Sequence, residues 1–354
     1  MSEIPMHQSK KKYVYPLNML DCFKGISMIL IILSHCRNFS VNNTVVNQII
    51  DITSSGATLF FQLAAGFGIR KTHPSKMFTK TVKEMLFPYL ICALVTVPLK
   101  FPVRLLAGES LSGSASHTAS LGLGFLFGTL STQDTFLGLP IGSNGPAWFL
   151  LALFWGLQIV NLLLKLNNRK KEFAAALAIT AAGFAIQHLG FSYFCIARGL
   201  CSVLPIYLGF LLRKEHYLDR IPKAAAWILP VLLVIEAFLF LPVVADLPWL
   251  VRGAGLYSLW AGEVLLMLQL SVWRSQQPGG VIAQFCRFIG RNSLLFLMVH
   301  TVGYSCMPWG GFSRIIGLAD IPELGNMLCF ALRLCVCAVL VRLLDKPFRR
   351  VLLR

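Results

Sequence analysis

The sequence predicts an all-α, polytopic integral membrane protein of about ten transmembrane helices, with both termini cytoplasmic. Three observations carry that prediction. Of the 354 residues, 56% are hydrophobic and only 13% charged, with a mean hydropathy of +0.68; a soluble domain has about 25% charged residues. The apolar residues fall into ten runs, and one helical crossing takes about 20 residues. Lysine and arginine concentrate in alternate connections between those runs, as the positive-inside bias requires. The formal charge of +17 would by itself suit nucleic acid or an anionic surface. Its distribution assigns it mostly to topology, so the lipid bilayer and not a nucleic acid is the expected partner.

The chain opens with a polar, basic cytoplasmic segment, residues 1–16. No small-residue cleavage site follows the first apolar run, which reads as a retained signal-anchor. Spans are expected at 17–36, 45–69, 85–103, 147–166, 173–191, 194–212, 224–244, 249–272, 288–308 and 325–344, making one membrane domain over 17–344 and a basic cytoplasmic tail over 345–354. Pro88, Pro98 and Pro102 predict that the third span is bent or short. The outside loop, about 104–146, has no Lys, Arg, Asp or Glu between Ser110 and Gln133. Its "LGLGFLFGTL" is too short to cross, and is expected to lie along the interface or to re-enter. A structureless loop of this length serves as a lid or binding surface, or is a tether. No internal repeat links the halves, which weighs against common transporter architectures. The ten cysteines include no CxxC pair and read as small buried apolar residues, so no metal site is expected.

The first run, "LDCFKGISMILIILSHC" (20–36), carries Asp21, Lys24 and His35. Eleven steps from Lys24 to His35 make nearly three turns, so the two share a face about 16 Å apart along the axis. Asp21 falls on the same face. Ionisable groups at such depth are expensive unless paired or wetted. A histidine there suits a general base, because its charge changes near working pH. The plainer reading is an Asp21–Lys24 pair at the headgroup boundary, with His35 reaching outward to water. His300, in the ninth run, is either a second catalytic or substrate group or an interhelical hydrogen bonder. Glu236, Glu263 and Arg333 lie within runs and can pair structurally, while Arg198 and Arg252 sit at outer ends. Asn144 and Trp148, in "NGPAWFL", are candidates to meet a substrate; an interfacial Trp anchor is the plainer reading.

Several segments occur in an order that resembles the membrane acyltransferase-3 family. Lys24, ten residues, then His35 is similar to the family's basic-to-histidine signature. "LFFQLAAGFGIRK" (59–71), "KEMLFPYL", "AWFLLALF", "IGRNSLLFLMVH" ending in His300, and "LDKPFRR" resemble its later motifs. The resemblance covers nearly the whole chain and implies a ten-helix core. It implies transfer of an acyl group, commonly acetyl, from cytoplasmic acyl-CoA to a hydroxyl, usually of a cell-surface glycan. It implies His35 as the catalytic histidine, Lys24 as its motif partner, and Arg70 and Lys71 as a donor region; Lys24 and Arg291 are further candidate cations for the donor. Ala65 stands where the family motif has serine, and Lys24 where arginine is commoner, which removes a bidentate fork.

The expectation is therefore an integral membrane O-acyltransferase of the bacterial inner membrane. Acetyl-CoA would be a donor substrate and not a resident cofactor, and the acceptor a surface or lipid-linked glycan. His35 would be general base or acyl carrier, with Asp21 orienting a neighbour or pairing with Lys24. Lys24 would neutralise a phosphate or a developing oxyanion. The rivals are a transporter or flippase for a lipid-linked sugar, whose charges line a path, and a scaffold that would tolerate loss of His35. The sugar, the acyl chain and the oligomeric state are not legible.

Overall fold

The computed structural model describes residues 17–36, 56–130, 135–215, 280–307 and 322–352, with scattered positions between 227 and 270. Segment 1–16, the first part of the run at 45–69, and nearly all of the runs at 224–244 and 249–272, with Glu236, Arg252 and Glu263, lie outside the described residues. Numbering only the fully described helices, α1 is Leu17–Ser34, α2 is Ala57–Gly68 and α3 is Pro74–Thr81. A π-helical turn, Val82–Leu86, joins α3 to α4, Phe87–Leu106. Then come α5 (Leu111–Phe127), α6 (Trp148–Leu163), α7 (Arg169–His188), α8 (Ile196–Cys201), α9 (Val203–Lys214), α10 (Val281–Arg291), α11 (Ser293–Cys306) and α12 (Pro322–Leu352).

The apolar runs form helices because a chain solvated by lipid must satisfy its backbone internally. Among the described residues, Pro74–Leu106, Gly145–Leu166 and Leu324–Arg350 are each long and apolar enough to cross a membrane; counting two bent pairs as one span each gives five. The central one is α6. Of its apolar stretch 72% is buried, against 22% in each of the other two. Those two turn large side chains such as Leu94, Leu106, Met327 and Leu343 outward, as a lipid-facing helix does. Around α6, α1 packs on α10 and α2, α2 on α9, and α11 on α4 and α12.

Three expectations are corrected. The third span is not short: the helix runs on from Pro74 through Pro98 and Pro102 to Leu106, and the π turn precedes them. The outside loop is not structureless. Ser110 caps α5 by accepting from the Gly113 amide at 3.1 Å, and Gly128 closes it in the left-handed conformation (φ 58°). A short antiparallel pair, Thr135–Phe136 with Leu139–Pro140, follows. The ninth run is bent by 81° at Asn292 and the sixth by 43° at Ser202. Asn292 donates its side-chain amide to the Phe288 carbonyl at 3.0 Å, ending α10, while its own carbonyl accepts from Phe296 at 2.9 Å and starts α11. The last helix continues to Leu352, so the basic residues 345–352 are helical.

Candidate active site

His35 follows the last turn of α1, half-buried, and His300 lies inside α11 at 2% exposure. The structure brings them together: His300 Nε2 is 3.3 Å from His35 Nδ1, with the rings edge-to-face at 5.0 Å. The Ile31 carbonyl lies 2.7 Å from His35 Nδ1. A carbonyl only accepts, so Nδ1 carries the proton, and Nε2 of the neutral ring is left with the lone pair. His300 Nε2, at the same N–H, is then an acceptor. Tyr304, one turn beyond His300, stacks edge-to-face on His35 at 4.8 Å.

Arg333 closes the site from α12. It is 5% exposed and donates from Nη1 to the His35 carbonyl at 2.7 Å. A cation there meets the negative end of the α1 dipole as well as the hydrogen bond. The adjacent Cys36 thiol donates to the Ile32 carbonyl at 3.3 Å. The turn Gly145–Ala147 packs on α11, facing Tyr304 and Ser305.

Lys24 does not join this cluster. It pairs with Asp21 at 3.5 Å, and Asp21 also accepts from Arg291 Nε at 3.0 Å. The ion group thus ties α1 to α10 at the opposite end of α1, about 16 Å from His35 by helical rise. The approach is close because glycines meet there: a Cβ on Gly25 would overlap the Cys286 carbonyl, and one on Gly290 the Asp21 carbonyl. Arg291 also lines a cavity of about 300 Å³ with Lys80, Lys83, Asn292 and Arg349, where Glu84 and Asp345 supply the acids. Arg70 and Lys71 do not line it. They are exposed on the connection after α2, which Asn161 holds by accepting from the Thr72 amide at 3.0 Å and donating to its carbonyl at 3.2 Å. Lys71 donates to Asn167 at 2.6 Å.

Asn144 is fully buried and donates to the Tyr89 hydroxyl at 3.3 Å, so its visible role is to seat the turn before α6. Trp148 carries the Arg198 guanidinium over its ring at 4.7 Å. Sequence reasoning placed Arg333 within a span but not at the histidine, and missed Tyr304, Lys80, Lys83 and Arg349 as site residues. Tyr304 had a signal, four residues after His300. Arg333 had none, because its partner is 298 positions away.

A half-buried histidine set against a buried one, with a buried arginine at its carbonyl and a tyrosine ring on its edge, is an arrangement that can hold and pass a proton. The family comparison identifies the chemistry: the acyltransferase-3 model, described as an acyltransferase domain, matches residues 17–342. The chain belongs to the acyltransferase-3 family and is a membrane acyltransferase. No match was found among curated proteins or among solved structures.

Proposed function

We propose that the protein transfers an acyl group from a cytoplasmic acyl-CoA to a hydroxyl of a cell-surface or lipid-linked glycan in the bacterial inner membrane, with His35 as general base. The observation that carries this reading is the 2.7 Å contact between His35 Nδ1 and the Ile31 carbonyl, which leaves Nε2 as the basic atom. Nε2 takes the acceptor's hydroxyl proton. The oxygen attacks the thioester carbonyl, the tetrahedral intermediate expels the CoA thiolate, and that thiolate takes the proton from the imidazolium. His300, accepting at 3.3 Å from Nδ1–H, stabilises the imidazolium and fixes its ring, so it acts as a positioning residue. An acyl group carried on Nε2 is the covalent variant.

The cavity lined by Lys80, Lys83, Arg291 and Arg349 supports a donor site, since its cations suit the phosphates of CoA. Leu295 lines that cavity and His300 is five residues further along α11, about 7.5 Å by helical rise. Lys24 and Asp21 then hold Arg291 in place. Arg70 and Lys71 would guide the donor only from outside the cavity. Asn144 acts by supporting Tyr89, and Trp148 with Arg198 offers a surface to the acceptor.

The test uses membranes from a deletion strain complemented with wild type or His35→Ala at matched protein levels. Release of CoA from acetyl-CoA and ester-bound acetyl on surface glycan are both measured. Loss of both in His35→Ala, by about 10²–10⁴-fold, is expected of a general base. Equal activity in the two membranes would sink the assignment to His35. If deletion removes the glycan itself and no CoA is released, the protein moves a lipid-linked sugar instead.

A further inference from the structure

Beside the histidine pair, α4, α11 and α12 flank an open groove of about 360 Å³. Its polar-side-chain lining is His300, Arg333 and Tyr304; the rest is glycine, valine, leucine, methionine and cysteine, with Leu99, Val302, Val336 and Leu340 typical. A water's share of liquid volume is about 30 Å³, so the space far exceeds the methyl of an acetyl group. We propose that this groove is the acyl-chain pocket of the transferase, and that the preferred donor carries a medium-length aliphatic acyl group, longer than acetyl. The proposal rests on the acyl-transfer reading above.

The chemistry selects the occupant. The walls can satisfy few hydroxyls or amides, so a sugar or the amide-bearing arm of CoA would be left unpaired along them. A lipid-linked acceptor does carry hydrocarbon, but phosphate groups and a sugar separate that hydrocarbon from the reacting hydroxyl. The groove reaches His300 directly, and its one guanidinium already holds the His35 carbonyl. Only an acyl group has a chain bonded to the reacting carbon itself. Its carbonyl can lie at the histidines while its methylenes fill the groove, with no polar atom between.

Gly303 is an independent sign. Glycine inside a helix costs about 1 kcal/mol relative to alanine, and where helices cross closely in this protein a Cβ would strike backbone. At Gly303 a Cβ meets nothing within 4 Å among the described residues, and the position lines the groove. Glycine at this position leaves the groove wall without a side chain.

The experiment uses purified full-length protein and an octanoyl-CoA analogue with a photoreactive diazirine at the chain end, crosslinks being mapped by peptide mass spectrometry. Label is expected on the α11 and α12 segments 299–307 and 333–344. Each buried methylene contributes about fourfold in affinity, so octanoyl-CoA should compete at least tenfold more strongly than acetyl-CoA. Gly303→Phe, which projects into open space, should cut groove labelling at least fivefold, and Gly303→Leu should give an intermediate loss. Equal competition by acetyl-CoA and octanoyl-CoA, or labelling indifferent to both variants, would overturn the chain pocket and leave the acyl-transfer reading standing. Groove labelling that free CoA and every acyl-CoA fail to displace would instead overturn the donor reading, and the proposal with it.

Discussion

One carbonyl decides which nitrogen of His35 is free to act, and one guanidinium decides where that carbonyl's helix end sits. Ile31 fixes the Nδ1 proton, while Arg333 holds the His35 carbonyl at 2.7 Å. A hydrogen bond to a charged group contributes about 1.5–3 kcal/mol. Arg333→Ala should therefore lower kcat by roughly 10- to 150-fold, with KM changed less than threefold, and Arg333→Lys should recover part of the loss. Steady-state kinetics on membranes separate the two constants; a rise in KM with kcat intact would sink the positioning role. Removing the acceptor at Nδ1 is milder: His300→Gln should keep more activity than His300→Ala, because a side-chain oxygen can still accept from Nδ1–H, and equal loss in both would count against that role. His35 was legible at this scale because an eleven-residue step along a helix is a spacing any sequence displays. Arg333 was not, because its contact joins the first and last described helices and no local pattern records it.

At the scale of elements, hydropathy located the helices and small residues decided how they cross. The α1–α10 contact depends on Gly25 and Gly290, each lying where a Cβ would enter the other helix's backbone. Gly290→Ala must push the helices apart, and overpacking of this kind costs about 1–3 kcal/mol. It also strains the Asp21–Arg291 pair at 3.0 Å. The monodisperse fraction surviving heat in detergent should fall for Gly290→Ala and rise slightly for Gly303→Ala, which has open space and gains helix propensity. The same melting point for both variants would mean that the close crossing is not what holds α1 to α10. What sequence missed here has local causes. The helix α5 was hidden because a serine- and glycine-rich stretch without charge reads as loop until its cap at Ser110 and its stop at Gly128 are weighed together. The bend at Asn292 was hidden because the polar step Arg291–Asn292–Ser293 lies at the inner end of an apolar run, where a span's boundary and a bend within it read alike. Conversely, Pro98 and Pro102 read as breakers, yet the helix passes through both.

For the molecule as a whole, the connections that sequence assigned to one side of the membrane touch one another. Lys71 bonds to Asn167 at 2.6 Å, Arg169 pairs with Glu215 at 3.4 Å, Arg349 bonds to Asn292 at 3.1 Å, and Arg291 reaches Asp21 at 3.0 Å. These loops form one basic end, while His35, Tyr304 and Arg333 gather towards the other end of α1. Under the proposed acyl transfer, such a division would have an anionic donor met where cations concentrate and the reaction take place deeper, along α11. It also makes orientation testable without knowing the acceptor. Cysteines placed at Lys76 and Lys170 should react with an impermeant maleimide only after the cells are permeabilised. One placed at Leu137, 88% exposed in the turn of the β-hairpin, should react in intact cells. The parent chain supplies the background, since of its cysteines among the described residues only Cys335 is exposed. If the Lys76 and Lys170 positions label from opposite sides, the basic end is not one surface. If both label in intact cells, the cavity of Lys80, Lys83, Arg291 and Arg349 faces away from the cytoplasm, where acyl-CoA is made, and it cannot be the donor site.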